Sequence, residues 1–174
     1  TSGAIGGDDV VVSGTLTVDT SFGSVRLTDL GADGATVTTQ SGAVEIADAH
    51  FAREAKIATS FGDVTIRDVT AERLDARTQG GALNVDGVRA ALVLDAEFGD
   101  ISVRDAVDVV LKARTSSGAV RFAGRLAATA DHDVETGFGD VSLDIPADSA
   151  LDIALHVEGD GKRRRREIHE HKSP

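Results

Sequence analysis

The chain has 174 residues, of which 41% are hydrophobic, and it carries a formal net charge of −11 and no cysteine. The acidic balance argues against nucleic-acid binding, because phosphate contacts need a basic surface. There is no disulfide framework, and no apolar run reaches the roughly 18 residues of a membrane-spanning helix. We therefore expect one domain whose core consists of small and β-branched side chains.

One stretch, Thr59–Ile66, recurs along most of the chain. It has the letters TSFGDVTI, and close copies begin at Thr20, Ala96 and Thr136. Between these copies lies a sister version with a small residue in place of phenylalanine, as in Thr39–Ile46. The central glycines follow one another at intervals of 18 to 21 residues, which is typical of repeat proteins. These glycines are Gly23, Gly42, Gly62, Gly81, Gly99, Gly118 and Gly139.

The N-terminal residues differ from the repeats that follow. They are rich in glycine before Val10–Val12. We predict a loose N-terminal lead-in over residues 1–12 that enters a first strand at Val10–Val12, and an incomplete first copy of the repeat at Thr15–Thr20.

Each repeat contains two stretches of alternating apolar residues. Before the corner threonine they occupy the second and fourth positions upstream, as at Val18 and Leu16; after it they occupy the fifth and seventh positions, as at Val25 and Leu27. A period of two indicates strands with one buried face, and no segment sustains a helical period. The sequence therefore predicts an all-β, single-chain, right-handed β-solenoid of about seven or eight coils, each of roughly 19–20 residues.

The outward positions support this register. Arg67, Asp86 and Arg104 become neighbours of alternating sign in successive coils, and Arg26 lies beside Glu45. Opposite charges are favoured at such cross-strand positions. One further column, which contains Asp29, Asp48 and Asp68, consists of residues that tolerate a left-handed backbone, so it predicts a turn in each coil.

The most distinctive feature is a ladder of phenylalanines in every second coil, about 9.6 Å apart. Small residues fill the alternate coils. We expect each ring to be buried over its small neighbour, because buried aromatic residues are the commoner case. The alternative is an exposed apolar stripe that binds a partner. The four residues are Phe22, Phe61, Phe98 and Phe138.

The acidic residues and histidines predict no metal site, cofactor site or catalytic residue. Asp63, Asp100 and Asp140 follow the Phe-Gly pairs, but about 9.6 Å between successive carboxylates is too far to share one calcium ion. His169 and His171 share one strand face without further ligands. No nucleophile motif or phosphate-binding loop is present.

Near the C-terminus the repeat pattern ends and the sequence becomes basic. We predict a β-solenoid domain over residues 1–160 and a basic edge strand or tail over residues 161–174. Four consecutive arginines in this segment are a candidate contact for an anionic surface, although a solubilising cap over the acidic body is the simpler interpretation. Head-to-tail association of the basic end of one chain with the acidic end of another is a third alternative. The four residues are Arg163, Arg164, Arg165 and Arg166.

The repeat motifs resemble those of a bacterial adhesin-like family of β-strand-repeat domains of unknown function. The resemblance rests on the alternating S-F-G-D-V and S-G-A-V cores and on GFGDVSLDIP at residues 137–146, and it covers residues 10–160. It implies a single-chain β-solenoid of the bacterial envelope without transferable catalytic residues. Bactofilin-type filament proteins are similar in coil size, but they lack the alternating phenylalanine.

These observations together predict a non-enzymatic module that binds or scaffolds an unidentified envelope or cell-surface partner. We expect it in the bacterial envelope or periplasm, with the cytoplasm as the alternative. Because the chain contains no methionine, we expect it to begin inside a longer precursor. The second hypothesis is a self-assembling filament joined through the solenoid ends. The third is a glycan-active β-helix enzyme, which needs two carboxylates within about 10 Å of each other in a groove.

Overall fold

The computed structural model describes residues 3–128 and 130–146, together with the backbone of residues 153–157. These residues form twelve strands and no helix. The strands are β1 Ile5–Phe22, β2 Val25–Ser41, β3 Val44–Phe51, β4 Glu54–Phe61, β5 Val64–Gly80, β6 Leu83–Asp86, β7 Arg89–Phe98, β8 Ile101–Ser117, β9 Val120–Leu126, β10 His132–Phe138, β11 Val141–Asp144 and β12 Ile153–Val157.

The strands stack as parallel coils of a β-solenoid. Equivalent positions pair in sequence, so that Ile5 pairs with Val25, Val25 with Val44, and Val44 with Val64. All the strand pairs among the described residues are parallel and belong to one sheet of about seven turns. The predicted solenoid and its register are confirmed.

Each coil has three straight segments, one more than the sequence predicted. In β2 the alternation of buried and exposed residues is interrupted at Thr28–Asp29, and again where Gly34 and Ala35 are both buried. A change of phase in a period of two marks a bend in the strand, since the inner face changes direction there. The segment between the two bends contributes a third wall to the core.

Two kinds of left-handed residue make the bends and corners. The aspartate column has φ near +50°, as at Asp29 and Asp68, which confirms the predicted turn. The corner glycines have a larger positive φ, which is 150° at Gly62. A Cβ at Gly62 would meet the carbonyl oxygen of Gly42 in the preceding coil, so only glycine allows the coils to approach here.

The first coil begins earlier than the sequence predicted. Strand β1 starts at Ile5, and Ile5 and Gly7 pair with Val25 and Leu27 of the next coil. The strand that the sequence predicted at Val10–Val12 therefore begins five residues earlier, within the lead-in of residues 1–12. Glycine at positions 6 and 7 concealed the alternation, because Gly7 occupies a position that is apolar in the later repeats.

The core is one continuous column inside the coils. It consists mainly of Val, Leu, Ile and Ala, with Phe51 and Phe122 as its only phenylalanines among the described residues. Burial is complete in the middle coils, whereas Leu16 and Val10 of the first coil are only partly buried. The predicted domain boundary at residue 160 and the segment 161–174 lie outside the described residues.

Candidate functional site

The four phenylalanines and the small residues between them form one column. Phe22 pairs with Ser41, Ser41 with Phe61, and Phe61 with Gly80; the series then continues to the last ring. Successive rings are thus two coils apart, or about 9.6 Å. We call Phe22, Phe61, Phe98 and Phe138 the aromatic ladder.

The rings of the aromatic ladder are exposed, so the prediction that they are buried is wrong. Their exposed fractions are 55% for Phe22, 63% for Phe61, 60% for Phe98 and 73% for Phe138. Each lies where a strand ends, directly before the corner glycine, and the inside-outside alternation does not extend through that corner. The Phe61 ring still lies over its small neighbour, since its Cδ1 atom is 3.4 Å from the position of a Cβ on Gly80.

The aspartates after the Phe-Gly pairs have a structural partner that the sequence did not reveal. Asp63 Oδ1 accepts a hydrogen bond of 2.8 Å from the backbone N–H of Ala82, and Asp100 Oδ1 accepts one of 2.8 Å from Ala119. The bond from Ala119, aided by Arg121, holds the pKa of Asp100 below its ordinary value. The only sequence signal was that Asp in one coil is followed by Ala in the next.

Most threonines of the buried corner column donate a hydrogen bond to the coil before them. Thr136 Oγ1 donates to the carbonyl oxygen of Gly118 at 2.9 Å, and Thr115 Oγ1 donates to that of Gly99 at 3.0 Å. Thr39 Oγ1 is equally buried but has no hydrogen-bond partner among the described residues. The threonines therefore differ in how much they stabilise the corner.

The charged columns pair as the register predicted, with one difference. Glu45 contacts Arg26 at 2.7 Å and Arg67 at 2.8 Å, and these hydrogen bonds, first that from Arg26, lower its pKa. Arg67 and Asp86 are neighbours in the register, as expected. The guanidinium of Arg67 nevertheless contacts Glu45, because its long side chain can reach the coil on either side.

His132 fills an inward position of strand β10. It is buried, its Nδ1 atom accepts a hydrogen bond of 3.1 Å from the N–H of Leu111, and its Nε2 atom lies 2.9 Å from the carbonyl oxygen of Ala127. Both ring nitrogens are thus used within the core. No group of three or more His, Asp or Glu side chains in the described part of the chain could hold a metal ion.

A shallow depression of about 310 Å³ adjoins the aromatic ladder. Its lining includes Ser60, Gln79 and Glu97, which immediately precede ladder positions, together with Arg77 and Asp95, which are neighbours in the register of two coils. The ladder and this depression together place apolar rings beside hydrogen-bonding groups. Such a surface is suited to binding a partner.

The basic contact that the sequence predicted for an anionic surface lies outside the described residues, as do His169 and His171. That contact consists of Arg163, Arg164, Arg165 and Arg166, and it stays a prediction. None of the described residues forms a helix long and apolar enough to cross a membrane.

A family model described as Toastrack DUF4097 matches residues 1–124 and, in a second and overlapping match, residues 52–172. The first match alone spans more than half of the chain. No curated protein and no solved structure matches the chain.

Proposed function

The chain belongs to the Toastrack family of β-solenoid domains, and on that premise we propose that it is a non-enzymatic, adhesin-like binding or scaffolding module of the bacterial envelope. The observation that carries this proposal is the exposed aromatic ladder. Four large apolar side chains in one line on a monomer's surface cost solvation free energy, and such patches commonly mark interaction sites.

The rigidity of the solenoid supports a role in recognition. Phe61 and Phe98 are each held by backbone pairing to the coils before and after them, so the spacing of these rings is determined before a partner arrives. A surface that is already ordered loses little conformational entropy on binding. The repeated rings act as anchors, and the adjoining depression supplies polar contacts.

The carboxylates beside the ladder support a structural rather than a catalytic role. Asp63 and Asp100 each accept a backbone N–H from the next coil, and Asp100 also contacts Arg121 at 2.9 Å. A lowered pKa keeps Asp100 ionised, whereas a general acid needs a raised one. The envelope location is supported by the resemblance of the corner motifs to bacterial envelope domains.

Co-sedimentation with isolated bacterial envelope fragments tests the proposal. We expect the wild-type chain to sediment with the fragments and the double variant Phe61→Ser/Phe98→Ser to remain in the supernatant. The matched control is Val11→Ser/Val107→Ser, which removes two exposed apolar side chains outside the ladder. Equal sedimentation of the two double variants, or none by the wild type, would contradict the proposal.

An end-to-end filament is the second candidate function, and the first coil favours it. Ile5, Val10, Val12 and Leu16 are only partly buried, and within the described residues β1 pairs with β2 alone. A second solenoid stacked on this coil would bury these side chains and continue the ladder of backbone hydrogen bonds. An average molecular mass, measured by light scattering, that keeps increasing with protein concentration would support this candidate. A molecular mass that stays constant over the concentration series would rule it out.

A further inference from the structure

The aromatic ladder alternates large and small side chains at the spacing of the coils. Along the column the order is Phe, Ser, Phe, Gly, Phe, Ser, Phe. Rings about 9.6 Å apart project beyond the small residue between them, and the Phe61 ring, which contacts the Gly80 position, is still 63% exposed. This surface is therefore shaped to receive a second row of rings that has the same period.

We infer that the aromatic ladder binds the same ladder of a second copy of this chain, with the two solenoids antiparallel and offset by one coil. The inference rests on the proposed function, because it names the partner of that same surface. In this arrangement three of the four rings, those of Phe22, Phe61 and Phe98, each face a small residue of the other copy.

The pairing is self-complementary. A twofold axis perpendicular to the column, between the coils of Phe61 and Gly80, places Phe61 against Gly80 of the second copy and Phe98 against Ser41. It also places Phe22 against Ser117. Each contact occurs twice, as a closed twofold dimer requires. A parallel twofold dimer keeps equivalent residues at the same height, so it would set ring against ring.

The period identifies a solenoid as the partner. The side chains on one face of a helix repeat every seven residues, or about 10.5 Å, and those on one face of a strand repeat every two residues, or about 6.8 Å. Neither distance matches the spacing of about 9.6 Å between the rings. Another copy of this chain has the same spacing between its rings, because its sequence and fold are the same. Its rings therefore stay in step over the six ladder coils from Phe22 to Ser117.

The acidic residues fit the same offset. Asp63 and Asp100 belong to coils that carry a ring, and the coil before each of them carries an alanine, Ala43 or Ala82, at the equivalent position. A shift of one coil therefore sets Asp63 against Ala82 and Asp100 against Ala43 of the second copy. Carboxylates that face each other would repel, and this arrangement avoids that contact.

The matched rings supply most of a small interface. Rings of about 200 Å² that expose 55 to 63% of their surface present roughly 350 Å² per copy for Phe22, Phe61 and Phe98. Two copies bury about 700 Å² through these rings, and the surfaces that the rings cover on the other copy bring the total towards the roughly 1,000 Å² that a specific interface needs. The flanking residues add to this area.

Sedimentation velocity over a concentration series tests the pairing. We expect a wild-type dimer, and a dissociation constant about 100-fold higher for Phe61→Ser/Phe98→Ser. Val11→Ser/Val107→Ser is the matched control and should remain dimeric. Salt should strengthen the dimer, because it screens two bodies that each carry a net charge of −11. A wild-type monomer at all concentrations, or a dimer that the Phe substitutions leave unchanged, would overturn the inference.

The register is tested with a photoreactive analogue that keeps the ring. In Phe22→p-benzoylphenylalanine, irradiation should cross-link position 22 to residues near Ser117 of the second copy, as mass spectrometry of the dimer band would show. Ser117 is five coils away within the same chain, or about 24 Å, so this product cannot form within one chain. Cross-links elsewhere, or none in a dimer, would overturn the proposed offset.

The two proposals can fail separately. A monomeric chain that sediments with envelope fragments only when Phe61 and Phe98 are present overturns self-pairing and retains the proposed function. A dimer that depends on these rings but does not bind to the fragments supports self-pairing and overturns the envelope function.

Discussion

At the residue scale, the corners depend on single side chains that meet the backbone of another coil. Asp100 is the clearest case, because its carboxylate accepts a backbone N–H from the next coil and contacts Arg121 in that coil. Both contacts favour the ionised form, and together they lower the pKa. The contribution of this carboxylate to stability therefore depends on pH.

The sign of that dependence follows from the lowered pKa. The Asp100 carboxylate stabilises the fold at pH values above its ordinary pKa of 3.8. This stabilisation is lost as the pH falls through the lowered pKa of the folded state. We expect Asp100→Asn to reduce the free energy of unfolding at pH 7 and to have little effect at pH 2, as measured by urea denaturation at both values. Glu97→Gln, an exposed change in the same coil, is the control. A loss that is equal at both pH values would contradict this prediction.

Some of these residue roles could be predicted from the sequence, and others could not. The left-handed aspartates were predictable, because Asp29, Asp48 and Asp68 fall in one column of turn-forming residues. The partners of Asp63 and Asp100 were not, because a carboxylate at a corner can turn towards solvent, an arginine or the backbone. Spacing along the chain does not decide which rotamer is adopted.

At the element scale, residues of the buried threonine column occupy equivalent positions but do not make equivalent hydrogen bonds. Thr136 and Thr39 are both buried at the same place in their coils, yet only the Thr136 hydroxyl has a hydrogen-bond acceptor within reach among the described residues. A buried hydroxyl that lacks a partner costs free energy, whereas a satisfied one stabilises.

Replacement by valine, which keeps the shape, separates the two cases. We expect Thr136→Val to lower the free energy of unfolding by about 1 kcal/mol, and Thr39→Val to leave it unchanged or raise it by up to about 1 kcal/mol. Urea denaturation of the two variants measures the difference. Equal losses in both variants would show that the Thr39 hydroxyl has a partner in solution.

The aromatic ladder was only partly predictable from the sequence. The alternation of Phe with small residues predicted the column correctly, because register depends only on the repeat length. It did not predict that the rings are exposed. Period-two reasoning holds along a straight segment, and these rings lie beside a glycine whose φ, 131° at Gly23, turns the chain.

At the scale of the whole molecule, stability is distributed along a stack rather than around a centre. A middle coil is covered by the coil before it and the coil after it, whereas the first coil is covered on one side, so a middle coil buries more apolar surface. Leu16 and Leu74 illustrate this, because they belong to one column but only Leu74 is fully buried.

Truncation of these two leucines compares the first coil with the middle of the stack. We expect Leu74→Ala to cost about 2–5 kcal/mol of unfolding free energy, as for other fully buried leucines. Leu16→Ala should cost less than half of that amount, because its side chain is already partly exposed. Thermal or urea denaturation of both variants provides the comparison, and an equal cost would mean that the first coil is covered in solution.

The alternation of ring and small residue also restricts how such a protein can change in length. Deleting a single coil brings two phenylalanines, or two small residues, into adjacent layers, whereas removing or duplicating a block of two coils preserves the sequence of sizes. Evolution of this molecule by internal duplication is therefore expected to proceed in steps of about 37 to 40 residues, the separations between consecutive ladder phenylalanines. A designer who wishes to lengthen it has the same unit to work with.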